Sequence, residues 1–439
     1  MGQLDTLYNE AKKYLVGGAS AGQRYHKILG QPLYLDHADG CRLYDVQGNA
    51  YIDYHGCAGA ALYGYNHPRL KAAVDKAVEK GFFMNFDTEY HIELAKMFRQ
   101  FFPSAEKVRL CNTGSEATQG AVRLARAYTG KDIIIRFDGH FHGMHELVWY
   151  NHNMTAPIDE YGEVETTPDC PGFASSAKDV VKNVAFNDIN ALEHAVSKYK
   201  DQVAAIILEP ISYNCGCLIS SKEYLEKVRQ ICDREGIVLI FDEVISGLRM
   251  RPGSAQLYYG VTPDLTTVAK AIGGGFSIAA LLGKDKFMQK LNPLGNTIMS
   301  GTYSGALMPV LASIECLKMA KEPGFYSHID KVADVLYSGI NQLFQKHGIK
   351  GHVRGVGARF SIYFGIENPE DDYDFRKVAE QMDVETYTKF TKECLSHGLF
   401  FHDTAGSKSP AHYGFNIQHT LKDVEITLDS IDTIFGKIK

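Results

Sequence analysis

The sequence predicts an α/β fold in which helices flank a mostly parallel sheet. Through the middle of the chain, short apolar runs typical of buried strands alternate with amphipathic runs typical of helices. The 439 residues are 45% hydrophobic and 22% charged, a composition that favours a globular protein with a large core and more than one domain. Near both ends the pattern changes to hairpin-like and exposed strands, so the termini are expected to fold differently from the middle.

Each element follows from its local pattern. A hairpin is predicted over residues 43–53, because Gln47 and Gly48 form a turn between two strand-like runs. A strand is predicted at residues 108–111, before the turn at 112–117, and further strands at the apolar runs 133–135, 204–208, 237–240 and 278–282. The helices are predicted over residues 121–127 and 221–235. Residues 354–364 read as a further, exposed strand.

Charge and cysteine usage limit the class of protein. The formal net charge of −6 indicates no nucleic-acid-binding face. The nine cysteines are scattered, which suggests reduced thiols in a cytosolic setting. Two close pairs, Cys215 with Cys217 and His140 with His142, lack further ligands at metal-site spacing, so no metal is predicted. No apolar run approaches the roughly 20 residues of a membrane helix, so a cytoplasmic protein without a membrane segment is expected.

A carboxylate and a lysine lie a short distance apart along the chain. Asp242 ends the apolar run 236–241 and should emerge at the carboxyl end of a central strand, where open α/β sheets bind ligands. Lys270 lies in a weakly polar stretch, and partial desolvation makes an amine a better nucleophile toward an aldehyde. Pyridoxal phosphate needs such a pair, because a lysine holds it as an imine and an aspartate keeps its pyridine nitrogen protonated. A solvent-facing lysine and a capping aspartate are the alternative.

A third segment, residues 112–117, reads as a tight turn between a strand and a helix start. Free N–H groups and the positive end of the helix dipole make this turn a phosphate seat at Thr113, Gly114 and Ser115, with the two hydroxyls as additional donors. The same residues also form an ordinary helix N-cap, which is the alternative. The position of this turn before Asp242 and Lys270 favours the phosphate site.

Several motifs in the same order carry a family resemblance. They cover residues 40–53, 64–68, 112–118, 121–126, 137–143, 208–210, 241–244, 260–267 and 300–305. Together they resemble the class III pyridoxal-phosphate aminotransferases, and the glutamate-1-semialdehyde aminomutase branch is the most similar. The resemblance spans most of the chain, and several ordered motifs are more specific than any single one.

The resemblance implies a fold type I architecture. A large cofactor-binding domain with a mostly parallel seven-stranded sheet is expected over residues 66–315. A smaller α+β domain is expected to combine residues 1–65 with residues 316–439. It also implies a homodimer, in which Thr302 of one chain reaches the cofactor phosphate of the other.

The resemblance also implies roles for residues around the cofactor. Phe141 replaces the tyrosine that usually stacks on the cofactor ring, and Val244 would cover the opposite face. Asn214 matches an asparagine near the phenolic oxygen, and Glu209 belongs to the matching Glu-Pro pair. His142 lies in the same motif as Phe141. Lys270 would form the Schiff base and then act as general base, while Asp242 would hold the ring nitrogen.

Substrate identity depends on weaker similarities. Arg24 falls on the arginine that binds the substrate carboxylate in the aminomutase, although a surface arginine is equally expected. Residues 144–153 replace the small-residue gating loop that retains the aminomutase intermediate, and this change favours transamination between two molecules. Added aromatic side chains suggest a substrate with apolar bulk: Tyr25, Trp149, Tyr150 and Phe276. An aminotransferase acting on an amino acid or amine, including a β-amino acid, is therefore predicted. The alternatives are an aminomutase, a racemase and an inactive binding protein of the same fold.

Overall fold

The computed structural model of the protein describes residues 2–81, 83–152, 156–367, 375–401 and 410–438. The strands in chain order are β1 (Tyr25–His26), β2 (Gln31–Pro32), β3 (Leu35–Asp39), β4 (Arg42–Asp45), β5 (Ala50–Asp53), β6 (Lys107–Cys111), β7 (Ile133–Phe137), β8 (Glu163–Val164), β9 (Val181–Val184), β10 (Val203–Leu208), β11 (Ile211–Ser212), β12 (Leu218–Ile219), β13 (Val238–Asp242), β14 (Leu265–Val268), β15 (Ala279–Gly283), β16 (Gly351–Val356), β17 (Arg359–Phe364), β18 (Leu399–Phe400) and β19 (Tyr413–Gly414).

The helices in chain order are α1 (Gln3–Ala11), α2 (Gly56–Gly59), α3 (Pro68–Glu79), α4 (Glu89–Phe101), α5 (Gly114–Thr129), α6 (Ile189–Lys198), α7 (Lys222–Glu235), α8 (Ala255–Tyr259), α9 (Asp285–Met288), α10 (Leu307–Ala320), α11 (Pro323–His347), α12 (Phe375–Gln381), α13 (Val384–Ser396) and α14 (Leu421–Ile438). The predicted helix over 221–235 is confirmed as α7, with Ser221 as its N-cap.

The large sheet confirms the predicted α/β class. Its strand order is β6-β15-β14-β13-β10-β7-β9-β8, and β14, β13, β10, β7 and β9 run parallel to one another. The sheet therefore has eight strands in place of the seven that we expected. The additional strand is β8, a two-residue edge strand that pairs antiparallel with β9 and is too short to have a readable sequence pattern.

Alternating side chains of the central strand β13 build the two sides of the core. Leu239 and Phe241 pack in the apolar cluster that includes residues of α6 and α7. Val238 and Ile240 pack in the cluster that includes residues of α5. All four side chains are at most 1% exposed, as expected for a parallel strand covered by helices on both faces.

Segments from the two ends of the chain share a four-stranded sheet with the order β18-β5-β4-β3. Strands β4 and β5 form the predicted hairpin around Gln47 and Gly48. The C-terminal strand β18 pairs in parallel with β5, and Leu399 lies opposite Ile52. The predicted domain boundaries at residues 65/66 and 315/316 stay predictions.

The strand predicted over residues 354–364 is in fact most of an antiparallel hairpin of β16 and β17. The predicted exposure of this segment is wrong, because every residue of β17 is buried. Phe364 makes ring contacts with Phe344 of α11 and Phe435 of α14 at centroid distances of 5.2 and 6.0 Å. The alternation of polar and apolar residues that suggested exposure instead separates two buried faces. Within the described ranges, no helix combines the length and the apolar character needed to cross a membrane.

Candidate active site

Loops that follow five strands of the large sheet converge at one edge. Residues 112–115 follow β6, Phe141 and His142 lie beyond β7, Glu209 follows β10, and Asp242 ends β13. Lys270 begins a short 3-10 helix, Lys270–Gly273, after β14. Strand β6 is antiparallel to β15, and β15 is antiparallel to β14, so β6 runs in the same direction as β14. The carboxyl ends of all five strands therefore face the same edge of the sheet. This is the edge at which open α/β sheets bind ligands.

The N-terminus of α5 has the features of a phosphate-binding turn. Thr113 is its N-cap, and its hydroxyl accepts a hydrogen bond from the N–H of Glu116 at 3.2 Å. A Cβ added to Gly114 would lie 3.1 Å from Cγ2 of Val244, so a larger residue would require the Val244 side chain to shift. Ser115 Oγ accepts a hydrogen bond from the N–H of Met144 at 3.1 Å. The free N–H groups of the first helical turn fit an anion.

Asp242 is a buried carboxylate held in place by three donors. Its Oδ2 lies 2.9 Å from Nδ1 of His142, and the Asp242 side chain is only 4% exposed. Its Oδ1 accepts hydrogen bonds from the hydroxyl of Thr267 and the N–H of Val244, both at 3.1 Å. Burial lowers the pKa of His142. The arrangement presents a fixed acceptor that fits the protonated ring nitrogen of a pyridine.

Glu209 connects two other predicted cofactor-binding residues. Its carboxylate accepts hydrogen bonds from the N–H of Phe141 at 2.9 Å and from Nδ2 of Asn214 at 3.0 Å. Burial, together with the negative charge of Asp242, raises the pKa of Glu209 to about 8. Glu209 therefore positions the loops that carry Phe141 and Asn214.

Lys270 has the electrostatic environment of a nucleophilic amine. Burial, and after it the positive charges of Arg249 and Arg359, lower its pKa to about 7, against the opposite effect of Glu209 and Asp242. Its backbone is in the left-handed region with φ of 52°, which is costly for a residue with a Cβ. The surrounding structure thus fixes the direction of a lysine that is substantially unprotonated near neutral pH.

The lowered pKa of Lys270 predicts a pH-dependent stability of the cofactor-free protein. Between about pH 7 and the ordinary lysine pKa of 10.5, the unfolded chain holds a proton that folded Lys270 has released. The free energy of unfolding should therefore rise with pH across this window. We expect Lys270→Met to remove this rise, measured as the difference between urea-unfolding curves of the two apo-proteins. Parallel pH profiles for wild type and variant would contradict the prediction.

Phe141 lies against an aromatic wall formed by Trp149, His152 and Phe173. The centroid of Phe141 lies 6.4 Å from that of Trp149, in an edge-to-face arrangement, and 5.0 Å from that of His152. Trp149 in turn contacts Phe173 at 6.1 Å. Tyr150, which we expected to mark the substrate, is 1% exposed and contacts Phe173 of this wall at a centroid distance of 5.5 Å.

For two predicted residues, Arg24 and Thr302, the described part of the chain shows no hydrogen bond to this constellation. Arg24 is exposed, and its Nη1 donates a hydrogen bond to Oγ of Ser20 at 2.7 Å, while its charge acts on the thiol of Cys57. Thr302 is exposed in a turn after residue 300. Within the part of the chain that the structure describes, no hydrogen bond joins its side chain to the site. The roles of both residues stay predictions.

Two buried arginines were missed by the sequence analysis. Arg249 and Arg359 are each 1% exposed, and both lie close enough to Lys270 to affect its pKa. Arg249 donates through Nε and Nη2 to the carbonyls of Ile245 and Gly59. For Arg359, the available signal was a charged residue within the strand-like run 358–364.

Enzymes that bind pyridoxal phosphate at the carboxyl edge of such a sheet form the fold type I class, and this protein is one of them. The sequence profile described as aminotransferase class-III matches residues 24–409, so the chain belongs to the class III aminotransferases. Pyridoxal 5'-phosphate is the cofactor of this family. The phosphate turn, the buried Asp242 and the desolvated Lys270 fit its phosphate, ring nitrogen and aldehyde.

Relatives of known name and solved structures agree with this assignment. Glutamate-1-semialdehyde 2,1-aminomutase of Chlorobaculum parvum is 38% identical over 426 residues, covering 96% of this chain and 95% of the relative. The enzyme of the same name from Methanocaldococcus jannaschii is 36% identical over 432 residues, covering 98% of this chain and 97% of the relative. The crystal structure of an omega-transaminase from Sphaerobacter thermophilus matches with a TM-score of 0.92 and 27% identity. The match covers 100% of this chain and 98% of the transaminase chain.

Proposed function

We propose that this protein is an aminotransferase that moves an amino group from an amino acid or amine to a separate keto acid or aldehyde. The observation that carries this proposal is the segment Met144–His152. In the resemblance to the aminomutase, this segment corresponds to a small-residue gating loop that retains an intermediate. Here it is built from bulky residues that are tied to the body of the protein.

Hydrogen bonds hold both ends of this segment. The N–H of Met144 donates to Oγ of Ser115 at 3.1 Å, next to the phosphate turn. The N–H of His152 donates to both carboxylate oxygens of Asp169 at 3.0 Å. Nδ2 of Asn151 donates to the carbonyl of Glu165 at 2.8 Å. A segment held in this way serves as a wall of the site and is poorly suited to open and close at each turnover.

The residues of the site have defined tasks in amino-group transfer. When bound, pyridoxal phosphate supplies an electron sink for the carbanion that forms on the substrate. Lys270 would hold the cofactor and would move a proton at the reacting carbon as general base. Asp242 would keep a proton on the ring nitrogen, and His142 and Thr267 hold Asp242 in position. Glu209 and Asn214 would lie near the phenolic oxygen, and Phe141 and Val244 would cover the two faces of the ring.

A second candidate function is that of a glutamate-1-semialdehyde-type aminomutase. The specific observation in its favour is the 36 to 38% identity to aminomutases over nearly the whole chain. Overall sequence similarity supports this function better than the first, whereas the segment Met144–His152 supports the first. An aminomutase exchanges nitrogen within one molecule and needs no external acceptor. A racemase is a third use of the same residues, which no separate observation favours.

The requirement for an acceptor distinguishes the two candidates. We expect turnover of an amino donor to stop after one equivalent per site when no keto acid is present, and to resume when one is added. The measurement is donor consumption against enzyme concentration, with glutamate-1-semialdehyde as a parallel substrate. Multiple turnovers of glutamate-1-semialdehyde to 5-aminolevulinate without an acceptor would reject the aminotransferase and support the aminomutase.

Arg24 is the proposed group for a substrate carboxylate. We expect Arg24→Ala to raise KM roughly tenfold for an amino acid and to leave KM for the matching amine unchanged, since only the amino acid loses a charged hydrogen bond. The comparison of KM for the two donors is the measurement. An equal change for both donors would contradict a carboxylate-binding role.

The working unit is proposed to be a homodimer in the cytoplasm. Thr302 is exposed, and the nearby side chains of Ile298 and Tyr303 are 66 and 61% exposed. This exposure favours a second copy of the chain that covers the segment and receives Thr302 at its own phosphate-binding turn. The division into residues 1–65 with 316–439 and residues 66–315 is part of the same proposal. Sedimentation at micromolar concentration tests the dimer.

A further inference from the structure

Arg136 is a buried cation near the carboxyl end of the inner strand β7. Its side chain is 0% exposed and lies on the same face of the sheet as Ile134, which packs in the cluster that includes residues of α5. Burial lowers the pKa of Arg136 to about 10, so the guanidinium keeps its charge at neutral pH. Among the described residues it makes no ion pair: Asp138 attracts it only at longer range and pairs with Arg376 at 3.0 Å.

The guanidinium instead donates to oxygen atoms of three separate segments. Nη2 donates to the carbonyl of His140, and Nη1 donates to the carbonyl of Tyr150. Nη1 also donates to Oδ1 of Asn183 at 2.8 Å, on the neighbouring strand β9. The Asn183 amide is itself oriented, because its Nδ2 donates to Oγ1 of Thr166 at 2.9 Å. One planar fork thus ties the loop after β7 and the segment around residue 150 to the sheet.

The peptide group between His140 and Phe141 is held at both ends. Its carbonyl accepts from Arg136, and its N–H donates to Glu209 at 2.9 Å. Because a peptide group is planar, the two hydrogen bonds fix the direction in which the Phe141 side chain leaves the loop. Phe141 is the residue proposed to cover one face of the cofactor ring, so Arg136 acts on that face through a single peptide group.

The peptide group that follows Tyr150 is held in the same way. Its carbonyl accepts from Arg136, and its N–H donates to the carbonyl of Thr167 at 3.0 Å. Trp149, the preceding residue, meets Phe141 edge to face at a centroid distance of 6.4 Å. Both partners of this ring contact therefore lie next to a backbone group that is anchored on the same guanidinium.

Packing alone does not account for a charge at this position. Burial of a charge is costly, and apolar side chains of similar volume often replace buried charged groups without loss of stability. An apolar residue at position 136 would leave the carbonyls of His140 and Tyr150 without their donor. The fixing of these two carbonyls is what distinguishes arginine from an apolar residue here.

We propose that Arg136 is a positioning residue that sets Phe141 and the segment Met144–His152 against each other, and thereby the width of the substrate space beside the cofactor ring. The substrate space rests on the proposed function, whereas the positioning requires no turnover. Arg136 acts through Phe141 and Trp149.

The test uses Trp149 as a reporter, because it is the only tryptophan of the chain. We expect Arg136→Met to shift the Trp149 emission of the folded apo-protein to longer wavelength and to increase its quenching by acrylamide, since the segment loses an anchor. In the holoenzyme, kcat should fall at least about tenfold and KM should change less than kcat, because the reacting groups are misplaced. Borohydride reduction should still attach the cofactor to Lys270.

The matched control is Arg229→Met, at another largely buried arginine. Arg229 pairs with Asp264 at 2.9 Å, and Asp264 precedes β14 at the edge of the sheet opposite the site. This variant should lower the melting temperature and leave the Trp149 emission and the kcat of the folded enzyme unchanged.

Two results would overturn the positioning role: wild-type Trp149 emission and kcat in folded Arg136→Met, or an equal emission shift in Arg229→Met. If Arg136→Met does not fold, Arg136→Lys decides, because a lysine keeps the charge but its single ammonium lacks the fork that reaches three segments. Wild-type emission in Arg136→Lys would also reject the proposal. The emission of the apo-protein does not depend on the need for an acceptor, so this proposal and the proposed function fail separately.

Discussion

Replacing Lys270 with alanine should lower kcat by about 10⁴-fold or more and abolish covalent attachment of the cofactor. Both losses would have the same origin, because we propose that a single amine both attaches the cofactor and transfers the proton. Its pKa of about 7 makes that amine available without prior deprotonation by another base. The measurements are kcat under saturating donor and the mass of the Lys270 peptide after borohydride reduction.

The matched control is Lys321→Ala, at an exposed lysine after α10. It should keep both the activity and the modified Lys270 peptide. A kcat of Lys270→Ala above one hundredth of the wild-type kcat, or a cofactor adduct on another lysine, would contradict both roles of Lys270.

Replacing Asp242 with asparagine should lower kcat roughly 10²- to 10³-fold, the size of other electrostatic contributions to catalysis. The amide can still accept from Val244 and Thr267 and can donate to Nδ1 of His142 if that ring changes tautomer, so the local geometry can be retained. What is lost is the negative charge that holds a proton on the ring nitrogen. The measurement is kcat together with cofactor stoichiometry, which we expect to stay near one per chain.

Glu243 provides a neighbouring buried carboxylate for comparison. It is 0% exposed, but it accepts hydrogen bonds from the N–H of Ala255 and from Nε2 of Gln256, away from the site. Glu243→Gln should therefore lower the melting temperature without a comparable loss of kcat per folded enzyme. A loss of less than tenfold in Asp242→Asn, or an equal loss in Glu243→Gln, would reject the special role of Asp242.

The sequence was sufficient to predict five strands of the large sheet, β6, β7, β10, β13 and β15, and the order of the residues at its edge. Continuous apolar runs predict buried parallel strands, and parallel strands bring their carboxyl ends together, so the residues that follow them must meet. Asp242, Lys270 and the turn at Thr113 could be grouped on this basis. The two-residue strand β8 could not be predicted, because such a strand has no period of its own.

The remainder of the site depends on contacts between segments far apart in the chain. Arg359 precedes a run in which aromatic or aliphatic residues alternate with more polar ones. This pattern is as typical of a half-exposed strand as of a strand that is buried on both faces. Both faces of β17 are buried by distant segments, because Phe364 contacts α11 and α14 on one face and the hydroxyl of Tyr363 donates to the carbonyl of Gly216 on the other. The hydrogen bond from the N–H of Phe141 to Glu209 likewise joins segments that follow different strands.

The pairing of β18 with β5 has a consequence for biosynthesis. The N-terminal hairpin leaves the ribosome early, whereas the strand that completes its sheet is made only after the entire α/β unit. We expect the edge of β5 to wait unpaired while the large sheet forms, because long-range strand pairing is slow and costs loop-closure entropy. Nascent chains that stop before Leu399 would then expose a sheet edge, and such an edge is a target for chaperones and for aggregation.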